Sequence, residues 1–74
     1  NGAAMDIDDT YGNMSNADMF EFIKDNLDFD QLIWEFGTDE NPNWVHVSYK
    51  TRGNRKQILK CSKVKGKTVY SIYS

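Results

Sequence analysis

Gln31-Leu32-Ile33-Trp34-Glu35-Phe36 is the stretch that decides how this sequence folds. Leu32, Trp34 and Phe36 alternate with Ile33 and Glu35 in a run rich in β-formers, which is the period-two signature of a strand. Glu35 stands out in it, because a carboxylate among apolar neighbours must face solvent or have a polar task, burial of an unpaired charge being costly. Downstream, Gly37 to Asn43 contains Pro42 and reads as a turn-rich connector. Trp44 to Tyr49 then alternates Trp44, His46 and Ser48 against Val45, Val47 and Tyr49, a strand expected to form an antiparallel hairpin with the first. Two registers are open for that hairpin. With Glu35 opposite His46 the two side chains share a face, whereas a one-residue slip pairs Glu35 with Val45 and turns it away.

Working outward, Ala3 to Asp8 alternates like a half-buried strand, and Thr10 to Asn13 reads as a loop. Ser15 followed by Asp18 resembles a capping box with the shorter acid. A helix is expected over Ala17 to Leu27, where Phe20, Ile23 and Leu27 form an apolar stripe widened by Met19 and Phe22. Towards the C-terminus, Gln57 to Ser62 and Thr68 to Tyr73 read as two further strands joined across Lys65-Gly66-Lys67. A strand, a helix and an antiparallel meander make an α+β domain, one helix on a small antiparallel sheet, with residues 1–74 as a single unit.

The chain has 74 residues, which leaves no room for a second, cofactor-binding domain. Its one cysteine, Cys61, closes no internal disulfide, and no apolar run approaches the roughly 18 residues of a spanning helix. It opens on Asn1 rather than methionine, so further residues are expected upstream. The net charge of −2 conceals a polarity: all 11 acidic residues fall between Asp6 and Glu40, and eight of the nine basic ones lie from Lys50 onward. That basic run, including Lys60, Lys63, Lys65 and Lys67, would suit an anionic polymer, but no nucleic-acid motif organises it, and a solvated sheet face accounts for it more simply. Nucleic acid is therefore not an expected partner.

The side chains also limit the chemistry. No glycine-rich phosphate loop is present, and with one histidine and no serine or cysteine in a strained turn, nucleophilic catalysis has no support. What remains is a metal site built from strands. Asp6 and His46, each flanked by apolar residues that would seat it in a dry wall, are oxygen and nitrogen ligands suited to zinc. Taken singly, a backbone-bonded His46 and a strand-end Asp6 are the plainer readings.

Three blocks together, Gly2-Ala3-Ala4-Met5-Asp6-Ile7, Phe29-Asp30-Gln31-Leu32-Ile33-Trp34-Glu35-Phe36 and Pro42-Asn43-Trp44-Val45-His46-Val47-Ser48-Tyr49, resemble the zinc D-Ala-D-Ala carboxypeptidase family of peptidoglycan peptidases. The resemblance runs from Gly2 to about Leu59 and includes Asn54-Arg55-Lys56-Gln57. It implies the fold shared with lysostaphin-type enzymes and the hedgehog signalling domain. It also implies one zinc held by a histidine, an aspartate and a second histidine, in the pattern Ser-x-His-x-x-Gly-x-Ala-x-Asp followed later by Trp-x-His. Asp6 falls on the aspartate and His46 on the second histidine. The first histidine would stand three residues before Gly2, outside this chain, so weak zinc binding and no activity are expected of the chain alone.

The third ligand would come from upstream sequence, from a second copy pairing along an exposed strand edge as a homodimer, or from Cys61. The reaction implied is hydrolysis of an amide in a peptidoglycan stem peptide, with Glu35 as the candidate general base. Some relatives place that acid three residues before the second histidine, where this chain has Asn43. The setting implied is a bacterial cell envelope or a phage. A binding module that keeps the fold without hydrolysis is the alternative.

Overall fold

The computed structural model describes residues 2–8, 14–38 and 40–73. In chain order the elements are β1 (Gly2–Ile7), α1 (Asn16–Asn26), β2 (Gln31–Glu35), β3 (Trp44–Lys50), β4 (Gln57–Val64) and β5 (Lys67–Ile72). Each expected element is present, with ends displaced by one or two residues; the loop expected over Thr10–Asn13 lies outside the described residues. Ser15 caps the helix, its side-chain oxygen accepting from the Asp18 backbone N–H at 3.0 Å. Asp18 adds a negative charge in the first turn, where the helix dipole favours it. The helix stops at Leu27, whose backbone is extended (φ −115, ψ 159). Leu27 therefore falls off the apolar stripe and is 47% exposed, and Phe22 points outward, so the buried face of the helix is carried by Phe20 and Ile23 with Asn16, and Ala17 packs beside them.

Strand β2 ends at Glu35 because Phe36 adopts φ 58 and Gly37 φ 77, the left-handed region that breaks a ladder. Glycine is required at 37, since a Cβ there would lie 2.4 Å from the Asn41 carbonyl oxygen.

The five strands form one sheet in the order β1-β3-β2-β4-β5. An antiparallel meander was the expectation, and the sheet corrects it: β4 runs parallel to β2, while the other three pairings are antiparallel. The reason is topological. β1 occupies the free side of β3, so the chain leaving β3 must cross over the start of β2 to reach an open edge, and it then runs the same way as β2. Asp30, buried at the head of β2, pins that crossing loop. It accepts from Arg55 Nε and Nη2, both at 2.9 Å, and from the Arg55 backbone N–H at 3.2 Å. The Lys56 and Gln57 N–H groups complete the join by donating to the Phe29 and Asp30 carbonyls. The guanidinium beside it holds the Asp30 carboxyl well below the usual carboxylate range.

Strand alternation sends Leu32, Trp34, Val45, Val47 and Ile58 to one face, where Phe20 and Ile23 of α1 cover them together with Phe29. Phe20 meets Trp34 edge-on with ring centroids 5.2 Å apart and packs on Tyr73 at 4.9 Å. The opposite face carries no helix among the described residues. It holds Asp6, His46, Ile33, Glu35, Leu59, Cys61, Tyr70 and Ile72.

Candidate metal centre

Asp6 on β1 lies directly across the ladder from His46 on β3, and His46 lies across from Ile33 on β2. Glu35 is paired with Trp44, neither His46 nor Val45. That register is offset by two residues from the face-sharing alternative, and because side chains alternate with period two, an offset of two returns Glu35 to the face of His46 as its diagonal neighbour. One ligand atom from each of Asp6, Glu35 and His46 lies within 4.8 Å of the others. His46 Nδ1 stands 2.9 Å from Asp6 Oδ1.

The expected dry wall is not what surrounds this trio. Side-chain exposure is 60% for Asp6 and 26% for His46. β1 is an edge strand with neighbours on one side only, and the Ala4 and Ser48 side chains beside Asp6 and His46 on this face are too small to cover them. Glu35 and His46, without Asp6, line a depression of about 330 Å³ together with Gln31, Ile33, Leu59 and Tyr70. Gln31 and Tyr70 were not singled out as site residues from sequence. Tyr70 reaches this face because it pairs with Cys61, which pairs with Glu35, a relation that exists only once β4 is placed beside β2.

Burial raises the Glu35 carboxyl above its ordinary value, and the nearby Asp6 charge and a hydrogen bond with Asp6 push the same way, against the His46 contribution. Zinc ligands of these types sit about 2.1 Å from the ion, so two of them are at most about 4.2 Å apart. Donors within 4.8 Å therefore need only a small rotamer adjustment to close on an ion. The donor set, two carboxylates and an imidazole, fits a divalent cation of borderline-hard character.

Cys61 does not join this group. It is 1% exposed, and burial pushes its thiol up, against a hydrogen bond with Tyr70. A thiol kept protonated is a poor ligand and a poor nucleophile. In the basic half, Lys50 and Arg55 are committed to Asp30, which removes two cations from any anion-binding face. No helix among the described residues is long and apolar enough to cross a membrane. Compared with protein-family models, with curated proteins and with solved structures, the chain gives no match.

Proposed function

We propose that this chain carries the zinc centre of a metallopeptidase acting on peptidoglycan stem peptides, of the D-Ala-D-Ala carboxypeptidase or endopeptidase type. Asp6 and His46 are its ligands and Glu35 its general base. The observation that supports this best is the convergence of Asp6, Glu35 and His46 from three strands, with ligand atoms within 4.8 Å. Zinc in that position supplies Lewis acidity to polarise the amide carbonyl and acidify water. Glu35 would act as the base that accepts a proton from an attacking water and returns it to the leaving amine, a task for which a carboxyl raised above its ordinary value is suited. Asp6, hydrogen-bonded to the imidazole, orients His46. Catalytic zinc requires three protein ligands and an open position, so a complete centre needs one more donor. Upstream sequence is the preferred source, and a second copy pairing along the β1 edge is the other. This chain alone is inactive on this reading, and its setting is a bacterial envelope or a phage. A non-catalytic wall-binding or protein-binding module is the second reading, favoured by the solvent exposure of Asp6.

The test is zinc affinity of this chain and of the chain extended upstream through Ser-x-His, each with and without His46→Ala. Extension should strengthen binding by at least ~10-fold, and His46→Ala should cancel the gain. An extended chain that binds zinc no better, with no loss on His46→Ala, overturns the reading. Zinc retained without hydrolysis of a cell-wall peptide favours the binding module.

A further inference from the structure

The sheet ends on two unlike edges. Among the described residues, neither β5 nor β1 has a neighbour on its outer side. All six residues of β5 are exposed, Ile72 at 82% and Tyr70 at 57%. The segment Thr68-Val69-Tyr70-Ser71-Ile72-Tyr73 is rich in β-formers and contains no charge, no proline and no glycine, so the devices that keep an edge from pairing are missing from it. β1 differs: glycine and alanine fill its first half with poor strand formers, and Asp6 carries a charge.

The hydrogen-bond phase of β5 is fixed by its partner. Tyr73 N donates to the Ile58 carbonyl at 3.1 Å, and in an antiparallel ladder bonded and non-bonded residues alternate, so Lys67, Val69 and Ser71 also turn their backbone groups toward β4. Thr68, Tyr70 and Ile72 turn theirs outward. In a two-fold pairing of β5 with itself that sets Tyr70 opposite its own counterpart, Thr68 faces the partner's Ile72. The three outward residues of each copy then exchange backbone hydrogen bonds along the whole edge, and no other antiparallel register pairs all three with one another. Lys67 and the partner's Lys67 are six residues apart along the strands, about 20 Å at the strand rise, which is beyond the screening length, so these like charges do not oppose the register.

We infer that a second copy of this chain docks on the β5 edge, joining two five-stranded sheets into one continuous sheet about a two-fold axis at Tyr70. The edge complements itself: the open face gains a Tyr70–Tyr70 pair at the axis and a Thr68–Ile72 pair on each side, which brings the most exposed apolar side chain of the fold under cover. The arrangement closes, because both outer edges of the dimer are then β1 and no free β5 is left to recruit another copy. Tyr70 lines the depression beside Glu35, so the partner's Tyr70 stands at its border, and the row Glu35, Cys61, Tyr70 runs on into its counterpart. The two Glu35 residues are then five strand spacings apart, about 24 Å. One strand from each copy makes a small interface, of the weak class, with a Kd on the order of 100 μM. The pairing uses neither β1 nor a metal ion, and it stands or falls independently of the peptidase reading.

The test is sedimentation velocity of the metal-free chain from about 10 μM to about 1 mM, with amide hydrogen exchange at both ends of that range. A monomer–dimer equilibrium is expected. At the high concentration the Thr68, Tyr70 and Ile72 amides should exchange roughly 4-fold more slowly, as the free fraction falls, while those of β1 stay unchanged. Ile72→Pro removes an outward N–H and no bond within one copy, and Ile72→Lys puts a charge on the edge at a position already open to water. Each should weaken association at least ~10-fold. A chain that stays monomeric throughout, species that grow past the dimer, slowed exchange in β1 instead of β5, or association undiminished in Ile72→Lys would overturn the inference. Should Ile72→Pro fail to fold, Ile72→Lys and the exchange pattern of the wild type decide it.

Discussion

The two faces of the sheet are made by the same strands and have opposite characters. Trp34 and Val45 point one way and are 4% and 0% exposed; their chain neighbours Glu35 and His46 point the other way and stay within reach of water. The covered face supplies the burial that a 74-residue chain needs, since a domain this small hides only about 60% of its unfolded surface. The open face holds polar groups at a density that a sealed core would not tolerate. Alternation with period two is what lets one strand serve both without compromise: stability and chemistry are separated by a single residue step, not by distance along the chain.

The covered side should be where substitution hurts most. Phe20 is fully buried and touches both Trp34 and Tyr73, so Phe20→Ala leaves a cavity at the centre of the only described helix–sheet contact. A loss of about 3–5 kcal/mol is expected, comparable to the whole stability of many small domains. Thermal or urea unfolding measures it. A loss under about 1 kcal/mol would mean that the helix is not what seals this face.

The faces were legible in the sequence and the neighbours were not. Alternation in Leu32-Ile33-Trp34-Glu35 says which side chains share a side, and the hairpin register came out two residues away from one of the two alternatives while still placing Glu35 with His46. Pattern gives parity, and parity survives an even shift. It carries no information on which strand lies beside which. That is why β4 was expected to follow β3 in a meander, and why Tyr70 was missed. The exposure of Asp6 was missed for a related reason: its apolar sequence neighbours point away from it, and being on an edge strand is a property of sheet order. Leu27 failed differently, since the last residue of a periodic stripe lost its place when the backbone turned extended.

The crossing loop that decides sheet order offers a second, smaller break. Its anchor is Asp30, whose carboxyl lies below the usual range because Arg55 bonds it. A carboxyl depressed in the native state stabilises the fold above the unfolded value of about 3.9, and that stability is lost as pH falls through and below it. Wild-type unfolding midpoints should therefore drop on acidification below about pH 4. Arg55→Gln should lower the midpoint at neutral pH and flatten the acid limb, with both faces otherwise unchanged. An acid limb as steep in Arg55→Gln as in wild type would remove Asp30 from the account.

Glu35→Gln has the smallest expected effect on stability and separates the two faces most cleanly, because its sign depends on what occupies the site. The Glu35 carboxyl is raised in the native state, so its contribution runs opposite to that of Asp30: full below the unfolded value of about 4.3 and lost as pH climbs through the native value. In a chelator, Glu35→Gln should match wild type at pH 4 or below and become slightly more stable than wild type as pH rises, since the amide carries no charge to repel Asp6. Saturating zinc reverses this in the upstream-extended chain, where a ligand that binds the native state adds stability in proportion to the logarithm of its excess over Kd, and Glu35 contributes attraction where it had contributed repulsion. Hydrolysis by that form should fall about 100-fold in Glu35→Gln, the scale of a lost general base. A residue that merely filled the open face would show neither the pH-dependent gain without metal nor the reversal with it.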